Sequence, residues 1–217
     1  EKSPEHIHTY RISNISLWNA IASGLTPDEL VALLDKYSKF PLPEGLLANI
    51  KDISSRYGKM VIAPAEGEWL RLYSTDDTVA RYVSAHPKIS QLLSHDVEGY
   101  GQYVSWLVDK KYRGEIKRLL TQFGYPVKDL VGYEPGDAYH FHLKPESESG
   151  FAVRKYQELA VENFYKGGSV EGGCGVVVMP CGSGKTIIGV CAMARLQTCT
   201  LVLSANITAL RQWRQEL

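Results

Sequence analysis

The chain has 217 residues, 44% of them hydrophobic, enough for one or two domains with buried cores and inconsistent with a low-complexity or repeat protein. Its 24 basic and 24 acidic residues cancel, so a polyanionic partner has to be held by local basic patches rather than by the field of the whole molecule. No run approaches the roughly 20 apolar residues of a membrane span, and the start lacks a signal-peptide profile, so a soluble, cytoplasmic protein with no membrane contact is expected.

Leu17, Trp18, Ala20 and Ile21 set out a short helix that Gly24 can end in a left-handed conformation. Thr26, Pro27, Asp28 and Glu29 form a capping box with proline in the first turn of the next helix. There Leu30, Leu33, Leu34 and Tyr37 recur at i, i+3, i+4 and i+7 and share one face. A third helix follows Pro43, with Leu46, Leu47, Ile50, Ile53 and Tyr57 inward and Gly58 at its end. Met60 to Ala63 and Trp69 to Tyr73 read as a hairpin joined through Glu66 and Gly67. Three helices and a hairpin are the order of a winged helix. Lys51 and Arg56 stand against Asp52 on the third helix, which has no dense basic face, so packing or protein interaction is favoured over DNA docking for this segment, residues 1–95.

Residues 75 to 95 read as helical and then loosely structured, and Gly99 and Gly101 suggest a boundary before a small α+β unit over 100–145. Its helix places Ile116, Leu119, Leu120 and Phe123 on one face, closes at Gly124 and leads into Tyr125 and Pro126. Lys110, Lys111, Arg113, Lys117 and Arg118, diluted by Asp109 and Glu115, form either a phosphate-neutralising cluster or an ordinary charged surface. Tyr139, Phe141 and Leu143 alternate with His140, His142 and Lys144 as in a half-buried strand. The two histidines find no third ligand, so a solvated face is favoured over a metal site. Pro145 to Gly150 is a polar connector to a third unit over 150–217.

In that unit Val176, Val177 and Val178 centre an apolar run of the kind found in strands buried on both faces. Pro180, Cys181, Gly182, Ser183, Gly184, Lys185 and Thr186 follow at once, and then Ile187, Ile188, Val190, Cys191 and Ala194 in a helical pattern. A triphosphate needs close approach by bare backbone amides at a helix N-terminus, where unpaired N–H groups and the helix dipole favour anions. Gly182 and Gly184 remove obstructing side chains, Lys185 can reach the β- and γ-phosphates, and the Thr186 hydroxyl can take a Mg²⁺ coordination position. Met179 stands where the strict phosphate-loop pattern has glycine. Nucleotide binding is favoured over a structural glycine turn. The four cysteines, at 174, 181, 191 and 199, match neither a zinc pair nor a small disulfide framework.

Arg154, Tyr156 and Gln157 precede the loop, and Leu201 to Asn206, Gln212 and Trp213 follow it. "VRKYQELAVENF", "VVVMPCGSGKT" and "LVLSANITALRQWRQEL" resemble the nucleotide-side motif, motif I and motif Ia of superfamily 2 helicases, and within them the XPB-type DNA repair helicases. "EIKRLLTQFGYPVKDLVGY" is similar to that family's segment ahead of the motor, and "IHTYRISNISLWNAIASGL" to the start of its N-terminal domain. The resemblance implies α+β N-terminal modules followed by the start of an α/β RecA-like P-loop motor domain, incomplete here. It further implies ATP and Mg²⁺ as cofactors, DNA as partner and 3′–5′ translocation in DNA repair.

By the same resemblance Gln157 reads adenine, Arg154 helps form its pocket, and Cys181 and Gly182 to Thr186 hold the phosphates. Ser204, Asn206 and Gln212 meet the tracked DNA strand; from the residues alone, Ser204 and Asn206 equally suit a turn and a helix cap. The 100–145 unit corresponds to a damage-recognition module and the first 95 residues to a regulatory or partner-docking domain, for instance for a repair protein. No DExH-type acidic motif or arginine finger occurs, so the expectation is an N-terminal piece of such an enzyme that binds nucleotide weakly and does not turn it over. Two other readings stay open: a non-catalytic docking module, and the DNA-tracking subunit of a restriction system.

Overall fold

Hydroxyl side chains at positions 13 and 26 cap the first two helices. In the computed structural model, which describes residues 11–94, 98–144, 148, 150 and 152–217, Ser13 caps α1 (Asn14–Ala22) through a capping box with Ser16. Thr26 caps α2 (Pro27–Tyr37), its hydroxyl accepting from the Glu29 N–H while the Glu29 carboxylate accepts from the Thr26 N–H at 2.8 Å. The connector at 145–150 and the first residues of "IHTYR" fall largely outside the described residues. The chain divides into two compact units, Glu1–Val131 and Gly132–Leu217.

In the first unit, α1 packs on α3 (Glu44–Ser55), where Leu17, Trp18 and Ile50 are buried and the Trp18 indole donates to the Ile53 carbonyl at 2.8 Å. Helix α2 forms as its periodicity predicts but buries none of its residues: Leu33 is exposed and Tyr37 is 77% exposed. Leu30 and Leu34 of the same face are half-buried because α2 meets α3, so the face is covered on one side only.

Strands β1 (Met60–Pro64) and β2 (Trp69–Ser74) form the expected antiparallel hairpin, but it is not a free wing. With β3 (Glu98–Tyr100), β4 (Tyr103–Asp109) and β5 (Val127–Asp129) they make one mixed sheet in the order β3-β4-β2-β1-β5. The partners that turn the wing into a sheet centre are β4, antiparallel to β2, and β5, parallel to β1. Alternation sends Leu70 and Leu72 of β2, and Trp106 and Val108 of β4, to one face. That face is packed by α4 (Asp77–Ser84), α5 (Pro87–Ser90) and α6 (Arg113–Gln122), through Val79, Val83, Ile89, Ile116 and Leu120.

The basic cluster is largely paired. Arg113 and Lys117 both bind Asp129, Lys117 at 2.7 Å, and Lys111 binds Asp109 at 2.8 Å. Burial pushes the Asp129 carboxyl up, but the hydrogen bond from Lys117, the Val131 N–H and Arg113 outweigh it and hold the group below its ordinary value.

The second unit consists of α7 (Lys155–Tyr165), α8 (Lys185–Leu196) and α9 (Ile207–Glu216) with long extended segments. Two expected strands are not formed as strands. The run at 139–144 has only an isolated antiparallel bridge, Ala138 to Thr198, with the Tyr139 N–H donating to the Gln197 carbonyl at 3.0 Å. The valine run finds no ladder among the described residues, and Val176 and Val178 are 89% and 88% exposed instead of buried on both faces. An apolar run is buried as a strand only where neighbouring strands pair with it, and here the described backbone offers none. Leu201 to Leu203 behaves in the same way. The fold is thus mixed α/β with one small mixed sheet. No helix among the described residues is long and apolar enough to cross a membrane.

Candidate nucleotide site

The glycine-rich turn lies between the extended valine run and α8, held from behind by the first turn of α7. Gly184 is the N-cap of α8 with φ 77°, and Gly182 has φ 76°, both in the left-handed region that favours glycine. The two differ in their surroundings. A Cβ at Gly182 would meet nothing, whereas one at Gly184 would stand 2.5 Å from the Gln157 Nε2.

Gln157 is 1% exposed, and both ends of its amide are used. Its Oε1 accepts from the Arg154 N–H at 2.9 Å, and its Nε2 donates to the carbonyls of Ser183 and Gly184, each at 3.4 Å. The neighbouring Tyr156 hydroxyl donates to the Ser183 carbonyl at 2.9 Å and accepts from Arg154 Nη1 at 3.2 Å. Arg154 is exposed. In the sequence Tyr156 carries no mark of this contact beyond its place one residue before Gln157 in the first turn of α7.

Across the loop, the Lys185 ammonium donates to the Met179 carbonyl at 2.7 Å and the Pro180 carbonyl at 3.0 Å, and the Ser183 hydroxyl donates to the Pro180 carbonyl at 2.7 Å. The Ser183 N–H makes a long bond, 3.4 Å, to the Pro180 carbonyl. The N–H groups of Gly182, Gly184, Lys185 and Thr186 have no acceptor among the described residues. The turn is therefore open, with four main-chain donors and an ammonium group at a helix N-terminus. Thr186 is half-buried in the first turn of α8, and Cys181 is exposed.

Beneath the loop, Val161 of α7 packs with Ile188 and Cys191 of α8, joined by Met179 and Ile187. Burial, with the nearby Glu158 charge, raises the Cys191 thiol above its ordinary value, so it behaves as a packed apolar group. Arg195 of α8 ties the pair of helices together, at 3.0 Å from Glu162 and 4.1 Å over the Tyr165 ring.

The other sequence-derived positions make no hydrogen bond to this loop among the described residues. Asn206 caps α9, its Oδ1 accepting from the Ala209 N–H at 2.9 Å, and the Ser204 hydroxyl donates to the Asn206 carbonyl at 3.3 Å. Gln212 is exposed on α9. His140 and His142 are exposed, and no group of three or more metal-ligating side chains occurs among the described residues.

Comparison with known proteins places this geometry in context. Residues 1–98 match the family described as helicase conserved C-terminal domain, and residues 150–217 match type III restriction enzyme, res subunit. The protein named DNA 3′-5′ helicase XPB from Mycobacterium tuberculosis is 40% identical over all 217 residues, and its namesake in Kineococcus radiotolerans is 39% identical. In each case the match covers 100% of this chain and 37% of the relative. A subunit of Antonospora locustae named general transcription and DNA repair factor IIH helicase/translocase subunit XPB is 26% identical over 99% of this chain and 31% of its own length. Along its whole length, then, the chain is similar to proteins named XPB helicases, and it spans 37% of the bacterial relatives it matches.

Proposed function

We propose that residues 182–186 hold the phosphate tail of ATP with Mg²⁺, and that the chain is part of the motor of an ATP-dependent 3′–5′ DNA helicase or translocase acting in DNA repair. The observation that carries this reading is the row of main-chain donors at Gly182, Gly184, Lys185 and Thr186, open at the N-terminus of α8 beside the Lys185 ammonium. The names of the relatives supply the reaction.

In this reading the ammonium leaves the Met179 and Pro180 carbonyls for the β- and γ-phosphates, and the Thr186 hydroxyl takes one Mg²⁺ position. Cys181 and Ser183 complete the loop wall, and exposed Arg154 flanks the base. Exposed Ser204 and Gln212, with Asn206 at the cap of α9, lie toward the DNA strand. The two extended apolar runs are strands of a RecA-like sheet whose ladder partners belong to other parts of the motor.

Titration with MgATP tests the reading: the wild-type chain binds, Lys185→Ala does not, and neither turns ATP over, because an acidic Mg²⁺ ligand of the usual kind is absent from this sequence. ATP hydrolysis by these 217 residues that disappears in Lys185→Ala would overturn the last part. The exposed part of the α2 face, with Leu33, Tyr37 and nearby Phe40, favours a second reading as a non-catalytic docking module for a repair protein. In that case MgATP leaves the melting temperature of the chain unchanged.

A further inference from the structure

Each N–H that points at an anion in such a loop belongs to a peptide plane whose carbonyl points the opposite way, since the peptide is planar and trans. Whatever holds the carbonyl therefore aims the donor. The Gly184 N–H shares its plane with the Ser183 carbonyl, which accepts from the Tyr156 hydroxyl at 2.9 Å and from Gln157 Nε2 at 3.4 Å. The Lys185 N–H shares its plane with the Gly184 carbonyl, which accepts from Gln157 Nε2 at 3.4 Å and from the Ile188 N–H at 3.3 Å.

We infer that Tyr156 is a positioning residue for the phosphate loop: its hydroxyl fixes the Ser183–Gly184 peptide plane so that the Gly184 N–H faces the nucleotide's phosphates, with Gln157 fixing the next plane. This rests on the nucleotide reading above and assigns to the first turn of α7 a task on the phosphate side of the site. Three features agree with it. Tyr156 makes the shorter of the two bonds to the Ser183 carbonyl. Arg154 Nη1 donates to the same phenol oxygen at 3.2 Å, and a donor to an oxygen strengthens that oxygen's own O–H as a donor. Finally, the Gln157 amide is buried, and its Nε2 donates to the carbonyls of Ser183 and Gly184 while its Oε1 accepts from the Arg154 N–H, so the same turn of α7 braces the loop at two adjacent planes.

Tyr156→Phe removes the hydroxyl and keeps the ring on a half-exposed position. Calorimetric titration of the full chain with MgADP and, separately, with magnesium pyrophosphate reads the result. Loss of one orienting hydrogen bond weakens both ligands by the same factor, about 3- to 10-fold, with the melting temperature unchanged within error. Pyrophosphate has no base, so an effect on MgADP alone would make Tyr156 a base-side contact and overturn the inference. Equal affinities for wild type and Tyr156→Phe, with binding lost in Lys185→Ala, would overturn it too while leaving the nucleotide reading standing. A wild-type chain that binds neither ligand would remove both.

Discussion

At the scale of single residues, Asp129 makes a pH-dependent contribution that can be signed in advance. Its side chain is 14% exposed and faces both Arg113 and Lys117; burial raises its carboxyl, but Lys117, the Val131 N–H and Arg113 together hold it below its ordinary value. A carboxyl whose folded-state pKa is depressed adds stability that is fully present above the unfolded value, about 3.9, and lost as pH falls through the folded value. Asp129→Asn should therefore cost about 1–3 kcal/mol near neutrality, between the surface and buried extremes for ion pairs. Urea titrations of both proteins at neutral pH and in acid check this. The gap between their midpoints should close as the solution is acidified below the ordinary carboxylate range, and a gap that stays constant would remove the ion pair from the account. None of this was legible in the sequence, where Arg113 and Lys117 stood out as a surface cluster and Asp129, far along the chain, carried no mark of being their partner.

At the scale of the element, the loop between the valine run and α8 separates two glycines that the sequence treats alike. Both need a positive φ, which costs an L-residue about 1–2 kcal/mol. Gly182 faces open space, but a Cβ at Gly184 drives into the Gln157 amide. Gly184→Ala should accordingly lower stability and nucleotide affinity more than Gly182→Ala does, measured by thermal melting and MgADP titration. Equal effects would mean that Gln157 yields freely and does not brace the loop. Local chemistry was readable at the helix ends: the Thr26 capping box, the closing glycines at 24 and 124, and the start of α8 at Lys185 lie where residue type requires them, although α3 stops at Ser55, short of Tyr57 and Gly58. What the sequence withheld was partnership. The hairpin at 60–74 is the middle of a sheet because β4 and β5 pair with it, and Asn206 caps a helix because α9 begins one residue later. In the nucleotide site the loop was plain from spacing, whereas the Tyr156 and Gln157 bonds to it join residues 27 or 26 positions apart and leave no periodic trace.

At the scale of the whole molecule, the two extended runs of the second unit present a consequence that can be measured. Val176 and Val178 are 89% and 88% exposed, and Leu201 and Leu203 are 82% and 85% exposed, while Val177 and Val202 between them line an apolar cavity of about 380 Å³ with Val161, Ile188 and Trp213. This is the period-two alternation of strands with one face on the helices and the other uncovered, and neither has a ladder among the described residues. Unpaired backbone beside exposed apolar side chains is a template for pairing with another chain. The 217-residue chain should therefore self-associate in a concentration-dependent way, seen by sedimentation velocity. The double substitution Val178→Lys with Leu203→Lys should shift it toward monomer without altering its circular dichroism, because those side chains have no packing to lose. Val177→Lys, by contrast, places a charge in the cavity over α8 and should lower the melting temperature. A chain that is monomeric at all concentrations, or that associates as strongly with both lysines in place, would show that these two runs are not sticky edges and would weaken the assignment of both to a larger sheet.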